Sequence, residues 1–311
     1  MSVEELKELQ LKIIRKSKKI NIIGISVAFI IILMTILCFI RIGSYTIIDW
    51  GLFIIIFELI FFSVIITVIK TIVVLDDEKF FKKEFKNTFV LSLLREYFDN
   101  LTYDPEKGFD EKYIQYIGML DTGDRFYSND YVSGKYKNIK VEQSDIEVEE
   151  EYEENDSNGE QKWITIFLGK WMTFDFNKKF KANMRITNNY FNAGSLPSDK
   201  NFSKIEMEDE EFNQMFEIYT EIEHDAFYIL TPHFMEKMKN VTKKLNCGIM
   251  FCFIDEKLHI AINNDDDSFE WDVYKIIDEE KIRKNILEDI ELIINFINDL
   301  NLDNDLFKEE E

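Results

Sequence analysis

The chain has 311 residues, 37 of them basic and 59 acidic, giving a formal net charge of −22. An acidic chain repels nucleic acid, whose binding rests on neutralising phosphates, so that class of partner is set aside. Three cysteines without framework spacing argue against a disulfide-stapled secreted domain.

The charge is unevenly divided. Residues 1–75 hold eight basic and five acidic side chains, and the rest of the chain carries a net charge near −25. Solubility explains such an excess, which is also compatible with cationic partners or divalent ions. The first nineteen residues predict an amphipathic helix. Ser2 and Glu5 form a capping box, and Leu6, Leu9 and Ile13 follow at helical spacing. Six bases between Lys7 and Lys19 suit an anionic inner leaflet, each contributing about 1 kcal/mol.

Two apolar runs follow, at 20–40 and 51–74. A helix rises about 1.5 Å per residue, so about 20 apolar residues cross the hydrocarbon core, and two such runs joined by residues 41–50 predict a transmembrane hairpin. The first apolar core is too long for a signal peptide and lacks a small-residue cleavage site. Bases before the first run and after the second (Lys70, Lys79, Lys82, Lys83, Lys86) put both termini in the cytoplasm by the positive-inside rule. The short loop is then outside, with Tyr45 and Trp50 at the outer interface. Glu58 is the costly residue of the hairpin: an acid costs about 2.5–3.5 kcal/mol at a helix centre, less off-centre. In an antiparallel hairpin Thr35 is its natural partner. The plain reading is an acid hydrogen-bonded to the neighbouring helix; the functional one is a proton or ion relay, or an oligomer contact.

From Asp76 a helix is expected to continue the second run, because Phe81, Phe85, Phe89, Leu93 and Tyr97 repeat every four residues. Asp110 caps a short helix through Met119. The middle reads as β: 131–134 and 137–150 are strand-like, with Gly134 as a turn. Residues 142–160 hold ten acids and no base around Asn158-Gly159, a strong hairpin signal. The strand 163–176 follows, and Gly169 within it predicts a bulge or a close backbone approach. Residues 181–187 form the next strand, before a polar loop with Gly194 and Pro197. Thr231 and Pro232 open a helix, cap then proline at the first position. Its face is Phe234, Met238, Val241 and Leu245, and Gly248 is its stop. Residues 248–254 and 257–263 predict a hairpin turned at Asp255-Glu256. A last amphipathic helix spans 279–301, with Ile282, Ile286, Ile290, Ile293 or Ile294, and Ile297 as its stripe. Helices before, between and after runs of strands define an α+β fold. The expected architecture is a two-helix transmembrane hairpin, then a mainly antiparallel-sheet cytoplasmic domain with flanking helices over residues 76–311.

The segments ITIFLGKWMTFDFNKKF (164–180), AFYILTPHFMEKM (226–238) and FCFIDEKLHIAI (251–262), with Phe269-Glu270, stand behind the two apolar runs. Together they resemble an uncharacterised bacterial membrane-protein family, a domain of unknown function with two N-terminal transmembrane helices and a cytoplasmic domain. The resemblance covers most of residues 20–270. Its most specific parts are Phe-x-Gly, Asp-Phe-Asn-Lys and the Tyr-x-Leu-Thr-Pro helix start. Where the family pattern has an apolar residue after the glycine, Lys170 stands here, so the local surface differs. The resemblance implies topology and supplies no catalytic residue.

Elementary chemistry is sparse. No P-loop, dinucleotide fingerprint, nucleophile elbow, zinc pair or CxxC occurs, and no cofactor is implied. Asp175 and Asn177 sit at a strand end, where such side chains bond a turn backbone. Lys178, Lys179 and Lys181 make a local basic patch. His224, His233 and His259 are scattered, and each reads as an ordinary histidine. Asp265, Asp266 and Asp267 would attract calcium, but EF-hand spacing is absent and a solvated loop is the plainer reading. Cys252 falls on a buried strand face, where packing outweighs redox work.

The expectation is therefore a membrane-anchored interaction or scaffold module. Its partners are the lipid bilayer and a protein or basic segment at the inner leaflet, and an oligomer is compatible with it. Glu58 and Thr35 are the polar residues of its hairpin, and Gly169, Asp175, Asn177, Lys178, Thr231 and Pro232 form motifs without a role. The alternatives are a metal-dependent enzyme using Asp175, Asp265 and Asp267, or an inner-leaflet lipid-sensing domain.

Overall fold

The computed structural model describes residues 1–42, 46–153, 161–175, 183–188 and 201–302. They pack as two units: Met1–Phe89 with Trp271–Ile282, and Val90–Glu270 with the chain from Arg283 onward.

The first unit is built on two forty-residue helices, α1 (Val3–Ile42) and α2 (Thr46–Phe85). The capping box starts α1: the Glu5 N–H donates to Ser2 Oγ at 3.2 Å, and the Ser2 N–H donates to the Glu5 carboxylate at 2.7 Å. Each helix contains a stretch long and apolar enough to cross a membrane. These stretches do not form a buried core. Ile22, Ile25, Phe29, Phe53, Phe57 and Ile72 are 64–70 % exposed. The helices meet closely at Gly24, where a Cβ would lie 2.4 Å from Ile66 Cγ1. Residues 271–282 fasten onto one end of the pair. The Gln10 amide donates to the Val273 and Lys275 carbonyls at 2.9 and 2.6 Å, Lys7 pairs with Glu279 at 2.7 Å, and Trp271 stacks on Phe85 at 6.2 Å.

The phenylalanine stripe does carry α2 past the apolar run, through a π-turn at Lys86–Val90, into α3 (Leu91–Tyr97). The second unit then adds β1 (Asp99–Asp104), α4 (Glu111–Ile117), β2 (Arg125–Tyr136), β3 (Ile139–Glu153), β4 (Gln161–Asp175) and β5 (Met184–Asn188). After these come β6 (Ser203–Ile205), α5 (Glu210–Met215), β7 (Phe216–Thr220), α6 (Glu223–Ile229) and α7 (Pro232–Leu245). The hairpin β8 (Gly248–Ile254) and β9 (Lys257–Asn263) and the helix α8 (Glu279–Asp299) complete the chain of elements. The strands form one nine-stranded sheet, β1-β2-β3-β4-β9-β8-β5-β7-β6, in which every neighbouring pair is antiparallel. The fold is thus α+β, with long apolar N-terminal helices and a large antiparallel sheet.

Side chains alternate across the sheet, so each strand supplies two faces. One face packs under α4, where Ile114 and Ile117 join Ile146, Trp171, Met250 and Ile254 in a core. The other is covered by helices from the C-terminal half of the chain. Phe174 meets Phe296 of α8, Phe253 meets Phe234 of α7, and Phe251 and Phe216 meet Phe212 of α5 through a chain of rings. The isoleucine stripe of α8 is buried along its length.

Two expected boundaries are corrected. Gly134 is not a turn: β2 runs through it to Tyr136, and the turn is Lys137-Asn138, both at positive φ (48° and 67°) as a type I′ hairpin requires. The absent side chain at 134 serves a close approach instead, since a Cβ there would lie 3.0 Å from Phe98 Cβ. Gly248 does not stop α7, which ends at Asn246 in the left-handed region (φ 51°), leaving Gly248 to open β8. Asn158-Gly159 and the loop with Gly194 and Pro197 lie outside the described residues, although β3 and β4 do pair as a hairpin from Glu153 with Gln161.

Candidate functional site

The α8-covered face of the sheet carries charges where a strand core would be apolar. Asp145 on β3 stands directly opposite Lys170 on β4. Both are almost fully buried, at 2 % and 1 % exposed. The Lys170 ammonium lies 2.9 Å from Asp266 and 3.5 Å from Asp289 of α8. Asp145 accepts from the Ser268 N–H at 2.5 Å and Oγ at 2.8 Å, and its carboxyl is hydrogen-bonded to that of Asp267. Beside it the pairing of β2 with β3 slips between Asn129 and Val132, and the bulged Asp130 turns inward with φ 54° and no exposed surface. Asp130 accepts from the Tyr103 hydroxyl at 2.6 Å and the Asn129 amide at 2.9 Å.

The segment after β9 brings the remaining acids. Gly169 makes this possible: a Cβ on it would lie 2.0 Å from the Ile262 carbonyl oxygen. The Asn263 side chain then brackets β4, accepting from the Leu168 N–H at 3.1 Å, and the Asp265 N–H donates to the Leu168 carbonyl at 3.0 Å. From this anchor Asp266 reaches Lys170, and the Phe269 N–H donates to Asp289 at 3.0 Å. Asp130, Asp267 and Glu270 each offer one carboxylate oxygen, all within 4.8 Å of one another. That is a spacing at which three carboxylates share one hard cation.

Six carboxylates thus surround one ammonium. Burial pushes the Asp145 carboxyl well above the usual carboxylate range; Lys170 opposes this, and Asp130 and Asp267 reinforce it. Burial also raises Asp289, against the pull of Lys170. Burial works to lower the Lys170 ammonium, but Asp145, Asp289 and Asp266 outweigh it and hold it above its ordinary value. The Tyr103 phenol is pushed up by burial and by Asp130.

A second polar row crosses the α4-covered face. Glu142, Thr173, His259, Cys252 and Arg185 are successive cross-strand partners from β3 to β5. Thr173 Oγ1 and His259 Nδ1 are 3.2 Å apart, and the Tyr113 and Trp171 rings close over the imidazole at 6.2 and 6.1 Å. Burial, with Lys257 adding to it, drives the imidazole down to about 3. Cys252 and His259 are at most 1 % exposed, which seals this row from substrate.

Of the acids expected to act together, Asp266 and Asp267 join the cluster. Asp175 is exposed at the far end of β4, opposite Lys257, and Asp265 is exposed in a left-handed turn. Asn177 and Lys178 lie outside the described residues. Thr231 caps α7 by accepting from the Phe234 N–H at 3.3 Å, with Pro232 in the first turn. Thr35 Oγ1 lies 2.9 and 3.2 Å from the two Glu58 oxygens, and the same hydroxyl also reaches the Ile31 carbonyl at 3.1 Å. His224 and His233 are exposed. Asp130, Asp145, Glu270 and Asp289 were not legible as a set. The available signal was a charge at an inward strand position: Asp145 between Gln143 and Glu147, and Lys170 between Leu168 and Met172.

Fold and site together define a class: an α+β domain with one antiparallel sheet and an acidic cluster that reaches from the buried Asp130 and Asp145 to the exposed Asp266 and Asp267, preceded by two long apolar helices. Residues 165–302 match the model of a family described as a protein of unknown function (DUF3137). That stretch is similar to the family from β4 to the end of α8, and it contains Lys170, Asp266, Asp267, Glu270 and Asp289. No curated protein and no solved structure matches the chain.

Proposed function

We propose that the protein is a membrane-anchored interaction module. In this reading α1 and α2 insert as a hairpin with both termini in the cytoplasm, and the acidic sheet unit acts at the inner leaflet. The observation that carries it is the outward display of apolar side chains along both helices, in water a large cost with no compensating core. A bilayer removes that cost. Two helices joined by a half-buried acid–hydroxyl pair give an anchor or an oligomer contact more readily than a transport path. The charge excess beyond residue 75 favours a partner segment rich in lysine and arginine.

The test is protease added to intact cells, repeated after permeabilisation, with crosslinking of the full chain in parallel. The reading expects the sheet unit to survive until the cells are opened. It also expects a crosslinked partner that is lost when residues 76–311 are deleted. Digestion of that unit from outside intact cells would reverse the topology, and a full chain recovered in the salt-washed soluble fraction would remove the anchor.

A further inference from the structure

We infer that Asp130, Asp267 and Glu270 form a binding site for a hard divalent cation, calcium in preference to magnesium. The inference does not depend on the membrane reading, because every residue it uses lies in the sheet unit.

Three observations converge. The first is donor chemistry: three carboxylate oxygens within 4.8 Å of one another, from the β2 bulge and the segment after β9. Calcium accepts six to eight oxygens at about 2.3–2.6 Å in flexible geometry, whereas magnesium demands near-octahedral ligands at about 2.0–2.1 Å and gives up water reluctantly, so a site offering several side-chain carboxylates favours calcium. The second is charge. Asp145 hydrogen-bonds Asp267, Asp130 is fully buried, and Lys170 is shared by Asp145, Asp266 and Asp289. Carboxylates buried in excess of their counter-charge need a cation or a proton to be stable there.

The third observation is independent of the acids. Gln143 has no exposed surface, and neither its amide nitrogen nor its amide oxygen has a hydrogen-bond partner among the described residues. It occupies the α8-covered face of β3, one inward position from Asp145. Its inward neighbours otherwise are Val141 on β3, Val132 on β2 and Met172 on β4. Gln143 thus stands beside Asp145 on the face that carries the cluster. A buried amide left unpaired is costly, and an ion with its bound water supplies the missing partner. Its oxygen serves as a further donor, or its nitrogen orients a metal-bound water.

The full chain in detergent, stripped with a chelator, provides the test. Terbium(III) reports on calcium sites by sensitised luminescence, and Tyr103 is a built-in donor through its 2.6 Å hydrogen bond to Asp130. Bound terbium is expected to luminesce on aromatic excitation and to be displaced by calcium at concentrations at least about tenfold below those needed of magnesium. Asp267→Asn with Glu270→Gln is expected to weaken calcium binding at least about tenfold, while Glu291→Gln on exposed α8 surface leaves it unchanged. Calcium in hundredfold excess is expected to raise the unfolding midpoint by about 5 °C. Gln143→Met guards against a folding artefact. If the amide serves the ion, this variant loses about tenfold in calcium affinity while remaining folded in chelator. If it stabilises the protein equally with and without calcium, the amide is an unpaired group only and the site loses its third support. Terbium luminescence that persists in Asp267→Asn/Glu270→Gln, or displacement by magnesium as easily as by calcium, would overturn the assignment.

Discussion

Lys170 is 1 % exposed and meets carboxylates from the adjacent strand, the segment after β9 and helix α8. Removing Lys170 leaves the buried Asp145 and the mostly buried Asp289 without the cation they share. Lys170→Met should therefore cost about 3–5 kcal/mol in chemical denaturation, although methionine fills much the same space. A loss below 1 kcal/mol would mean that water already reaches those acids. His259 carries the opposite logic, since it is a base held neutral. Thr173, Tyr113, Trp171 and Cys252 enclose it, and Lys257 is the nearby cation. Its folded value is about 3 against 6.5 for the ordinary imidazole. Between those values the unfolded chain takes up a proton that the folded chain refuses. Stability from this group is complete above about pH 6.5 and declines as pH falls toward 3, at about 1.4 kcal/mol per pH unit. His259→Gln should flatten that part of the acid limb in urea titrations run at successive pH values; an unchanged slope would place the proton uptake elsewhere.

At the scale of elements, local signals and long-range pairing separate cleanly. The β2–β3 turn has Lys137 and Asn138 at positive φ, a conformation that glycine adopts without a Cβ penalty. Asn138→Gly should raise the thermal midpoint slightly, by about 0.4–1 kcal/mol of stability, whereas Thr231→Ala should lower it by about 1 kcal/mol through the lost cap of α7. Gly169→Ala should cost more than either, about 1–3 kcal/mol, because the obstacle is a backbone carbonyl 2.0 Å away that cannot turn aside. Caps, periodic stripes and the Asp255-Glu256 turn were legible because each is written within a few residues. So were α7 and α8, whose apolar faces repeat at helical spacing. The strands β1, β6 and β7 and the helices α5 and α6 were not foreseen; all are short, and their partners are fixed by tertiary packing. The acidic cluster was hidden for the same reason. Asp130 and Asp267 are separated by most of the sheet in sequence, and a β-bulge that no local pattern marks turns Asp130 inward.

Over the whole molecule the proposed membrane orientation rests on the charge pattern. Bases crowd the start of α1 and the end of α2, Arg41 is the one base between the two apolar runs, and the chain beyond residue 75 is strongly acidic. In the proposed hairpin acids count little in orienting the spans, so the bases set the side on which that reading places the sheet unit. Under the proposed anchoring, repulsion from an anionic inner leaflet disfavours that unit lying flat on the lipid, and a basic partner is the contact that reading favours. The orientation is checked by an internal reporter. Cys247 is half-buried, while Cys252 is 1 % exposed. Burial raises the Cys247 thiol, so labelling is run at alkaline pH, where more thiolate is present. A membrane-impermeant maleimide should leave Cys247 unmodified in intact cells and modify it after permeabilisation, with Cys247→Ser as the blank. Replacing Lys12, Arg15, Lys16, Lys18 and Lys19 by Gln and adding three lysines beside Arg41 should make Cys247 reactive from outside in a fraction of molecules. The inversion should stay partial, because Lys79, Lys82, Lys83 and Lys86 still hold the end of α2 on the inner side. Full protection of Cys247 in that variant would mean that something other than the charge split orients the hairpin, with folding of the sheet unit before insertion as the alternative cause.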